Sequence, residues 1–336
     1  TRRNQACCRC GGWLGCSGSE KLAGKIHMHE CDQRTHTHNR DLTPYVSLHV
    51  PHWENTEEDV AGIKREFSLA LLKRSSLWWF DMWGGFYQEP VLFENFRRMK
   101  EIYDSRINLP SRNVEEVAMI VDPDALAYFD QRSPRQRDFQ PDIRKKLNRL
   151  GAPFETWCLR DIPSIPNLDK IKFFLFTTPW EITPEKAELL NRYVLNHDRT
   201  VLWFYAPGIS DGTSFDESRI RRWTGADPHV SGLSVQRMSG WTSAFLRNPA
   251  ELTPAMLKSL AKSAGVHLYS DAEIPVYADD RFLALHSKEG GEMTIRLPRR
   301  VTKITELFSG KLAAENVSEF QWNFRAPDTV LFEMED

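Results

Sequence analysis

The stretch EVAMIV, residues 116–121, decides the fold, because it is almost continuously apolar and shows no alternation of polar and apolar positions. Continuous apolarity indicates a strand buried on both faces, as in a parallel sheet covered by helices. Three more runs of this kind follow it, FETWC (154–158), KFFLF (172–176) and TVLWFY (200–205). Helical patterns separate or follow these runs, near 138–150, 184–196, 214–223 and 253–264. The sequence therefore predicts a doubly wound parallel α/β domain over residues 111–267.

The residues before this domain show the same order of elements. The strand-like runs KIHMHE (25–30) and SLWWFDM (76–82) alternate with helical patterns at 57–73 and 89–104. Strand–helix–strand–helix is typical of a parallel sheet or barrel. Residues 1–110 are therefore predicted to form a partial (β/α) barrel segment.

The residues after the domain follow a different pattern. FLALHSK and EMTIRLP flank Gly290 and Gly291, which predicts a β-hairpin. Further strand-like runs, VTKITELF and DTVLFEM, come later. Residues 268–336 are therefore predicted to form a small antiparallel β domain, a β-sandwich.

Composition excludes some classes of function. The formal net charge of −2 argues against a nucleic-acid binder, and the longest apolar runs are too short to span a membrane. No leader-like segment is visible in a chain that begins with Thr1, which favours a cytoplasmic location. Eleven tryptophans and nineteen phenylalanines indicate a large core, a carbohydrate-stacking surface, or both.

The strand KIHMHE contains the first candidate catalytic residue. Side chains alternate along a strand, so Ile26, Met28 and Glu30 share one face. If that face points into a barrel, the two apolar residues fill the interior and Glu30 lies at the carboxyl end of the strand. Barrel enzymes place their catalytic groups at that end. Glu30 is therefore a candidate nucleophile or general base; the structural alternative is a glutamate paired with Arg34.

The stretch LWWFDMWGGFY, residues 77–87, contains the second candidate. Asp81 falls at the end of the predicted strand, among several aromatic residues. Aromatic faces beside carboxylates suit sugars, whose C–H faces are apolar and whose rims need hydrogen bonds. The alternative is that some of these tryptophans belong to the core.

Histidines and cysteines raise the question of a metal. Cys7, Cys10 and Cys16 could hold zinc, but a second pair at a fixed distance is absent. The histidine pairs of KIHMHECDQRTHTH (25–38) have no third ligand at a diagnostic spacing. We therefore expect no metal and no cofactor. The parallel domain also shows neither a nucleophile elbow nor a dinucleotide fingerprint, and we expect it to be catalytically silent.

Several phrases together resemble the C-terminal half of family 42 glycoside hydrolases, the β-galactosidase-like group. GKIHMHECDQRTHTH resembles barrel strand seven, and SLWWFDMWGGFY resembles strand eight. EVAMIVDPDALAYF, KFFLFTTPWEIT and TVLWFYAPGISDG resemble the flavodoxin- or amidotransferase-like middle domain, which mediates trimerisation in that family. The resemblance runs from about Gly24 onward and implies the last two of eight barrel units. The partner carboxylate, at the end of strand four in the family, has no counterpart in this chain.

The resemblance implies a retaining glycosidase that cleaves β-linked sugars such as β-galactosides, with Glu30 as nucleophile. The resemblance supplies no second catalytic carboxylate, a role that would fall to Asp81, Asp32 or a neighbouring chain. Asp32, Arg34 and Asp81 would orient the nucleophile or contact sugar hydroxyls. The stacking platform would consist of Trp78, Trp79 and Trp83. The resemblance further implies a homotrimer. Two alternatives stay open: a glycosidase active on xylan or cellulose, and a non-catalytic remnant that binds carbohydrate or only oligomerises.

Overall fold

The computed structural model describes residues 15–38, 52–81, 84–130, 132–133 and 136–336. The helices are α1 (Ser17–Leu22), α2 (Thr56–Leu72), α3 (Pro90–Arg106), α4 (Gln136–Phe139), α5 (Pro141–Leu147), α6 (Pro184–Tyr193), α7 (Ser218–Thr224) and α8 (Pro254–Ser263). The strands are β1 (Met28–Cys31), β2 (Ser76–Trp79), β3 (Val117–Val121), β4 (Glu155–Cys158), β5 (Phe173–Phe176), β6 (Thr200–Phe204), β7 (Leu233–Arg237), β8 (Thr242–Leu246), β9 (Val276–Ala278), β10 (Phe282–Ser287), β11 (Gly291–Glu306), β12 (Lys311–Phe324) and β13 (Asp328–Glu335). None of the helices in these ranges is both long and apolar enough to cross a membrane.

The described chain is a mixed α/β protein that divides into two compact units. The first unit contains the described parts of Ile26–Asn113 together with Tyr269–Asp336. The second contains the described part of 13–25 together with Val114–Leu268. The first and third predicted domains thus fall in one compact unit, and the division into three domains stays a prediction.

The second unit is built on a six-stranded sheet in the order β4-β3-β5-β6-β8-β7. The first five strands in that order pair in parallel, an arrangement shared with flavodoxin-like folds. All residues of β3, β4, β5 and β6 are buried, as their continuous apolarity predicts. The edge strand β7, which runs antiparallel to β8, was not predicted. Its largely polar, exposed residues carry no apolar strand pattern.

The second unit also includes α1, which precedes the first strand of the chain. Gly18 lies so close to the Trp157 indole that an added Cβ would come within 2.6 Å of it. The Ser19 hydroxyl accepts a hydrogen bond from the Cys158 backbone N–H at 2.8 Å. These contacts fix α1 on β4, so α1 belongs to the second unit although it lies within the range 1–110 predicted as the barrel segment.

The first unit combines β1, α2, β2 and α3 with a five-stranded antiparallel sheet in the order β12-β11-β13-β10-β9. Asn55 caps α2 by accepting the Glu58 N–H, and three acidic residues in its first turn suit the helix dipole. The helix packs on the antiparallel sheet, where the Thr329 hydroxyl donates to the Ala61 carbonyl oxygen at 2.6 Å.

The predicted hairpin at Gly290 and Gly291 is wrong. Strands β10 and β11 do flank these glycines, but both pair with β13, which lies between them. Two consecutive glycines indicate a turn, but they do not specify which strand becomes the neighbour. The buried strand β13 takes the central position, because its apolar residues Leu331 and Phe332 are fully enclosed there.

The strand β12 was missed, since its sequence is mostly polar and exposed. It forms a long hairpin with β11 that bends at register irregularities between Arg296 and Val301 and again after Ile304. The bend brings the Phe320 ring to 5.2 Å from the Phe332 ring of β13. Hydrogen bonds thus join the five strands in one sheet, and the bent β12 packs against the central strand β13. The predicted β-sandwich stays a prediction.

Candidate functional site

The candidate site lies on the parallel pair β1 and β2. Glu30 is the Cα partner of Trp78, and Cys31 is the partner of Trp79. The pairing continues past the strand ends, where the Phe80 N–H donates to the Cys31 carbonyl oxygen at 3.1 Å. The chain therefore brings Asp32 and Asp81 out at the same edge, the carboxyl ends of the two strands.

The alternation expected for KIHMHE is present. Ile26, Met28 and Glu30 are exposed, while His29 and Cys31 turn toward the interior of the unit. The expectation that Ile26 and Met28 fill a barrel interior is not met, since they are 85% and 63% exposed. Two strands pair with each other but enclose no space between them, so the face that would line a barrel is open in the described part of the chain.

Glu30 makes no hydrogen bond or ion pair with any other residue that the structure describes. The structural alternative, a pair with Arg34, does not form. Instead Arg34 lies 2.7 Å from the Asp32 carboxylate and also donates to the Asp32 carbonyl oxygen at 2.8 Å. The guanidinium stacks at 5.3 Å on the Phe86 ring. Arg34 and Asp32 thus hold each other beside the strand end and leave the Glu30 carboxylate free for another partner.

Asp81 and the tryptophans occupy different environments. The Asp81 carboxylate accepts the Phe86 N–H at 3.2 Å, which closes the turn after β2. Trp78 is 41% exposed and packs edge-on against Phe80. Trp79 is half-buried and packs against two rings, those of Tyr87 at 5.8 Å and Phe96 at 4.8 Å. Trp83 lies outside the described residues.

The strand ends form a region of negative charge. The Tyr87 hydroxyl donates to the Cys31 carbonyl oxygen at 3.1 Å and is buried. Burial raises the pKa of Tyr87, and the negative charges around it, which include Asp81 and Asp32, raise it further. Tyr87 therefore stays protonated and acts as a hydrogen-bond donor that fixes the end of β1.

A buried ionic network lies beneath β1. The Glu66 carboxylate of α2 is 2.9 Å from the His29 ring and 2.6 Å from the Arg65 guanidinium. Burial alone would raise the pKa of Glu66, but Arg65 and His29 hold it below its ordinary value. Burial, together with the nearby Glu66 charge, raises the pKa of the Cys31 thiol. This network attaches the face of β1 opposite Glu30 to α2.

A second polar cluster follows β1. The His36 ring lies 2.5 Å from the buried Asp59 carboxylate of α2 and 3.5 Å from the Glu89 carboxylate that precedes α3. Burial raises the pKa of Asp59 to about 6, against the opposing effect of its hydrogen bonds to His36. Sequence reasoning missed this cluster, because its members are far apart in the chain and show no diagnostic spacing.

Two groups of residues have the right atoms within 4.8 Å of one another to hold a metal: His29, Cys31 and Glu66, and His36, Asp59 and Glu89. In the first group Arg65 already neutralises Glu66, which disfavours a further cation. In the second, both ring nitrogens of His36 already face carboxylates, so hydrogen bonding accounts for the arrangement. In both groups, contacts within the protein account for the charged side chains.

Doubly wound folds bind ligands at the carboxyl ends of their strands. At this edge of the sheet in the second unit, charged side chains form ion pairs with one another. Asp122 directly follows β3, and its carboxylate lies 2.7 Å from the Lys186 ammonium. The same ammonium is 2.9 Å from Glu181. Burial raises the pKa of Asp122, against the effect of Lys186. A lysine shared by two carboxylates is explained by charge pairing.

Comparison with known proteins places the fold. No family model matches the sequence, and no curated protein matches it. Among solved structures, a β-galactosidase from the psychrophilic Marinomonas ef1 matches with a TM-score of 0.56 at 13% identity, covering 87% of this chain and 51% of that one. A catalytic mutant of a GH42 β-galactosidase from G. stearothermophilus matches with a TM-score of 0.54 at 10% identity, covering 80% and 51%. An alpha-L-fucosidase from Paenibacillus thiaminolyticus matches with a TM-score of 0.52 at 11% identity, covering 95% and 62%.

The resemblance to family 42 β-galactosidases that the sequence indicates is thus confirmed at the level of the fold. The chain spans about half the length of the β-galactosidases it matches. That coverage is consistent with the C-terminal part of such an enzyme.

Proposed function

We propose that the chain carries the nucleophile side of a retaining glycosidase that cleaves β-linked sugars such as β-galactosides, with Glu30 as the nucleophile. The observation that carries the proposal is the position of the Glu30 carboxylate. It lies at the carboxyl end of a parallel strand, is exposed, and has no partner in the described ranges. Its register neighbour Trp78 is exposed as well, so a carboxylate and an indole are available side by side.

The residues at the same strand ends receive supporting roles in this proposal. Arg34 and Asp32 form an ion pair that can donate to and accept from sugar hydroxyls. Trp78 presents a ring face for stacking. Trp79 lies on the opposite face of the strand, against Tyr87 and Phe96, and anchors the strand end. Trp83 stays a predicted member of the platform.

A retaining mechanism needs a second carboxyl group about 5–5.5 Å from the nucleophile, acting first as acid and then as base. Asp81 is the candidate, because it leaves the neighbouring strand at the same edge. One of its oxygens is held by the Phe86 N–H, which leaves the other available for a proton. A carboxylate from another chain is the alternative source.

One observation favours a second function. Ile26 and Met28 are exposed on the same face as Glu30, and such an apolar surface suits contact with another chain or a carbohydrate. A non-catalytic binding or oligomerisation module is therefore the rival function. A glycosidase acting on xylan or cellulose is the other alternative. The homotrimer and the cytoplasmic location are part of the proposal.

The test uses substrates that need no acid catalyst. In a dinitrophenyl β-glycoside the dinitrophenolate group leaves without being protonated. The nucleophile alone therefore suffices for the first step. We expect the chain to release dinitrophenolate from the β-galactoside, and Glu30→Gln to abolish release while the circular dichroism spectrum stays unchanged. Glu94→Gln, an exposed glutamate on α3, is the matched control. Equal turnover in the Glu30→Gln variant would remove Glu30 from the mechanism.

The rival functions give different results with the same protein. Calorimetry with galactose, xylose and glucan oligomers would show binding without turnover for a binding module. Release from xylosides or polysaccharides, but not from galactosides, would favour the xylan- or cellulose-active alternative.

A further inference from the structure

A pocket of about 410 Å³ opens at the bent end of the antiparallel sheet in the first unit. Its lining comes from α2, α3, the turn between β11 and β12, and the ends of β12 and β13. None of its residues belongs to β1, β2 or the loops that follow them. The pocket is therefore separate in sequence and structure from the proposed catalytic residues, and its ligand does not depend on the function of Glu30.

Two aromatic rings form part of the wall. Phe308 lies in the turn after β11, and Trp322 lies near the end of β12. The bend of the β11–β12 hairpin brings them into one pocket, because Trp322 packs edge-on at 5.1 Å against Phe332 of β13. Both rings are only partly buried, so their free surfaces can contact a ligand.

The Lys64 ammonium of α2 lies over one of these rings, that of Phe308. Its Nζ lies 4.8 Å from the centroid of the Phe308 ring. It makes no hydrogen bond or ion pair with the residues that the structure describes. Burial lowers the pKa of Lys64, although Asp328 and Glu306 act in the opposite direction. A partly desolvated cation without a hydrogen-bonded partner is costly and gains from an anionic ligand.

Neither of the two acidic residues that line the pocket, Glu306 and Asp328, forms an ion pair with the Lys64 ammonium. Glu306 is already engaged, since its oxygens accept the backbone N–H groups of Phe308 at 3.1 Å and Ser309 at 2.7 Å. Burial raises the pKa of Asp328, against the effect of Lys64. Lys311 and Arg325 add two more cations to the lining. The pocket thus combines aromatic faces with an excess of positive charge.

We propose that this pocket binds a sugar unit that bears an anionic group, such as a hexuronic acid. The flat C–H face of the sugar ring would contact Trp322 and Phe308, as sugar rings do on aromatic side chains. The carboxylate would accept hydrogen bonds from Lys64, with Arg325 at the rim. A pocket of this volume holds one or two sugar rings.

The experiment measures binding by calorimetry on the whole chain, with three probes. D-galacturonate carries both the ring and the charge, D-galactose the ring alone, and acetate the charge alone. We expect galacturonate to bind at least tenfold more tightly than either of the others. Equal binding of galactose, equal binding of acetate, or no binding of galacturonate would each overturn the proposal.

Variants then locate the site. Lys64→Met keeps the length of the side chain and removes the charge, and it should weaken galacturonate binding at least tenfold. The matched control Lys100→Met removes an exposed lysine that pairs with Asp104 on α3 and should leave binding within twofold. Arg325→Gln provides a second test at the rim, with an expected loss of at least threefold. Unchanged binding in a folded Lys64→Met protein, or in Arg325→Gln if the first variant does not fold, would contradict the assignment.

Discussion

The buried network beneath β1 gives the sharpest prediction about stability. Replacing Glu66 with Gln removes the carboxylate that lies 2.6 Å from the Arg65 guanidinium, which is 2% exposed. It also weakens the contact to His29 that attaches β1 to α2. Breaking a buried ion pair by removing one of its charges costs about 3–5 kcal/mol. That cost is a large share of the total stability of a domain, about 5–15 kcal/mol.

The assay is urea unfolding of the whole chain followed by tryptophan fluorescence and circular dichroism, scored on the transition of the first unit. The matched control is Glu101→Gln, the same substitution in an exposed ion pair with Arg98. Exposed pairs contribute about 0–1 kcal/mol, so the control should change the free energy of unfolding very little. If Glu66→Gln costs no more than Glu101→Gln, the network does not hold β1 on α2.

The pH dependence of the Glu66 effect has a definite sign. The folded-state pKa of Glu66 is held below its ordinary value of 4.5. The stability that its charge contributes is therefore fully present above pH 5 and is lost as the pH falls toward the folded-state pKa. The difference between the wild-type protein and Glu66→Gln should shrink steadily from pH 5 to pH 2. A difference that grows on acidification would refute the reasoning.

Two further substitutions on α2 have opposite expected signs. Gly62→Ala should destabilise the first unit by up to about 2 kcal/mol, because overpacking costs about 1–3 kcal/mol and the gain in helix propensity offsets about 1 kcal/mol of it. The added Cβ would lie 2.0 Å from the Trp53 indole. Increased stability in a urea titration would contradict this expectation. Asp59→Asn should stabilise the protein at pH 8, because burial raises the pKa of Asp59 from 3.8 to about 6, a difference equivalent to about 3 kcal/mol. For a carboxyl group whose pKa rises on folding, stability falls as the pH rises from the unfolded-state pKa to the folded-state pKa. The Asp59→Asn variant should therefore be as stable as the wild-type protein at pH 3 and more stable at pH 8. A variant less stable than the wild-type protein at pH 8 would be inconsistent with this expectation.

The fold was predictable where burial imposes a pattern. Strands β3, β5 and β6 were found because burial on both faces requires continuous apolarity, and α2 was found from its apolar period and acidic start. The edge strands β7 and β12 have exposed side chains and carry no such pattern. The pairing of β11 with β13 instead of β10 could not be predicted, because β13 comes last in the chain and its place between them depends on packing in the finished sheet.

The candidate site was predictable only in part, for a related reason. Period-two alternation correctly placed Glu30 on the face opposite His29, which is a local property of a strand. What each face contacts is not local. The pairing of Arg34 with Asp32, and of His36 with Asp59, depends on how the turn after β1 and the start of α2 come together. In the sequence Lys64 is one polar residue of a helix. Only the bent β11–β12 hairpin shows that Lys64 lies over the Phe308 ring in a pocket that Trp322 also lines.

The central claim is that residue 30 attacks the sugar, and covalent trapping tests it most directly. The chain would be incubated with a dinitrophenyl 2-deoxy-2-fluoro-β-galactoside, whose fluorine slows release of a glycosyl intermediate, and then digested for mass spectrometry. The account predicts a burst of dinitrophenolate and one added fluorosugar on the peptide that contains Glu30, absent in Glu30→Gln. A label on Asp32 or Asp81 instead, or no label on a chain that turns over the parent glycoside, would contradict it.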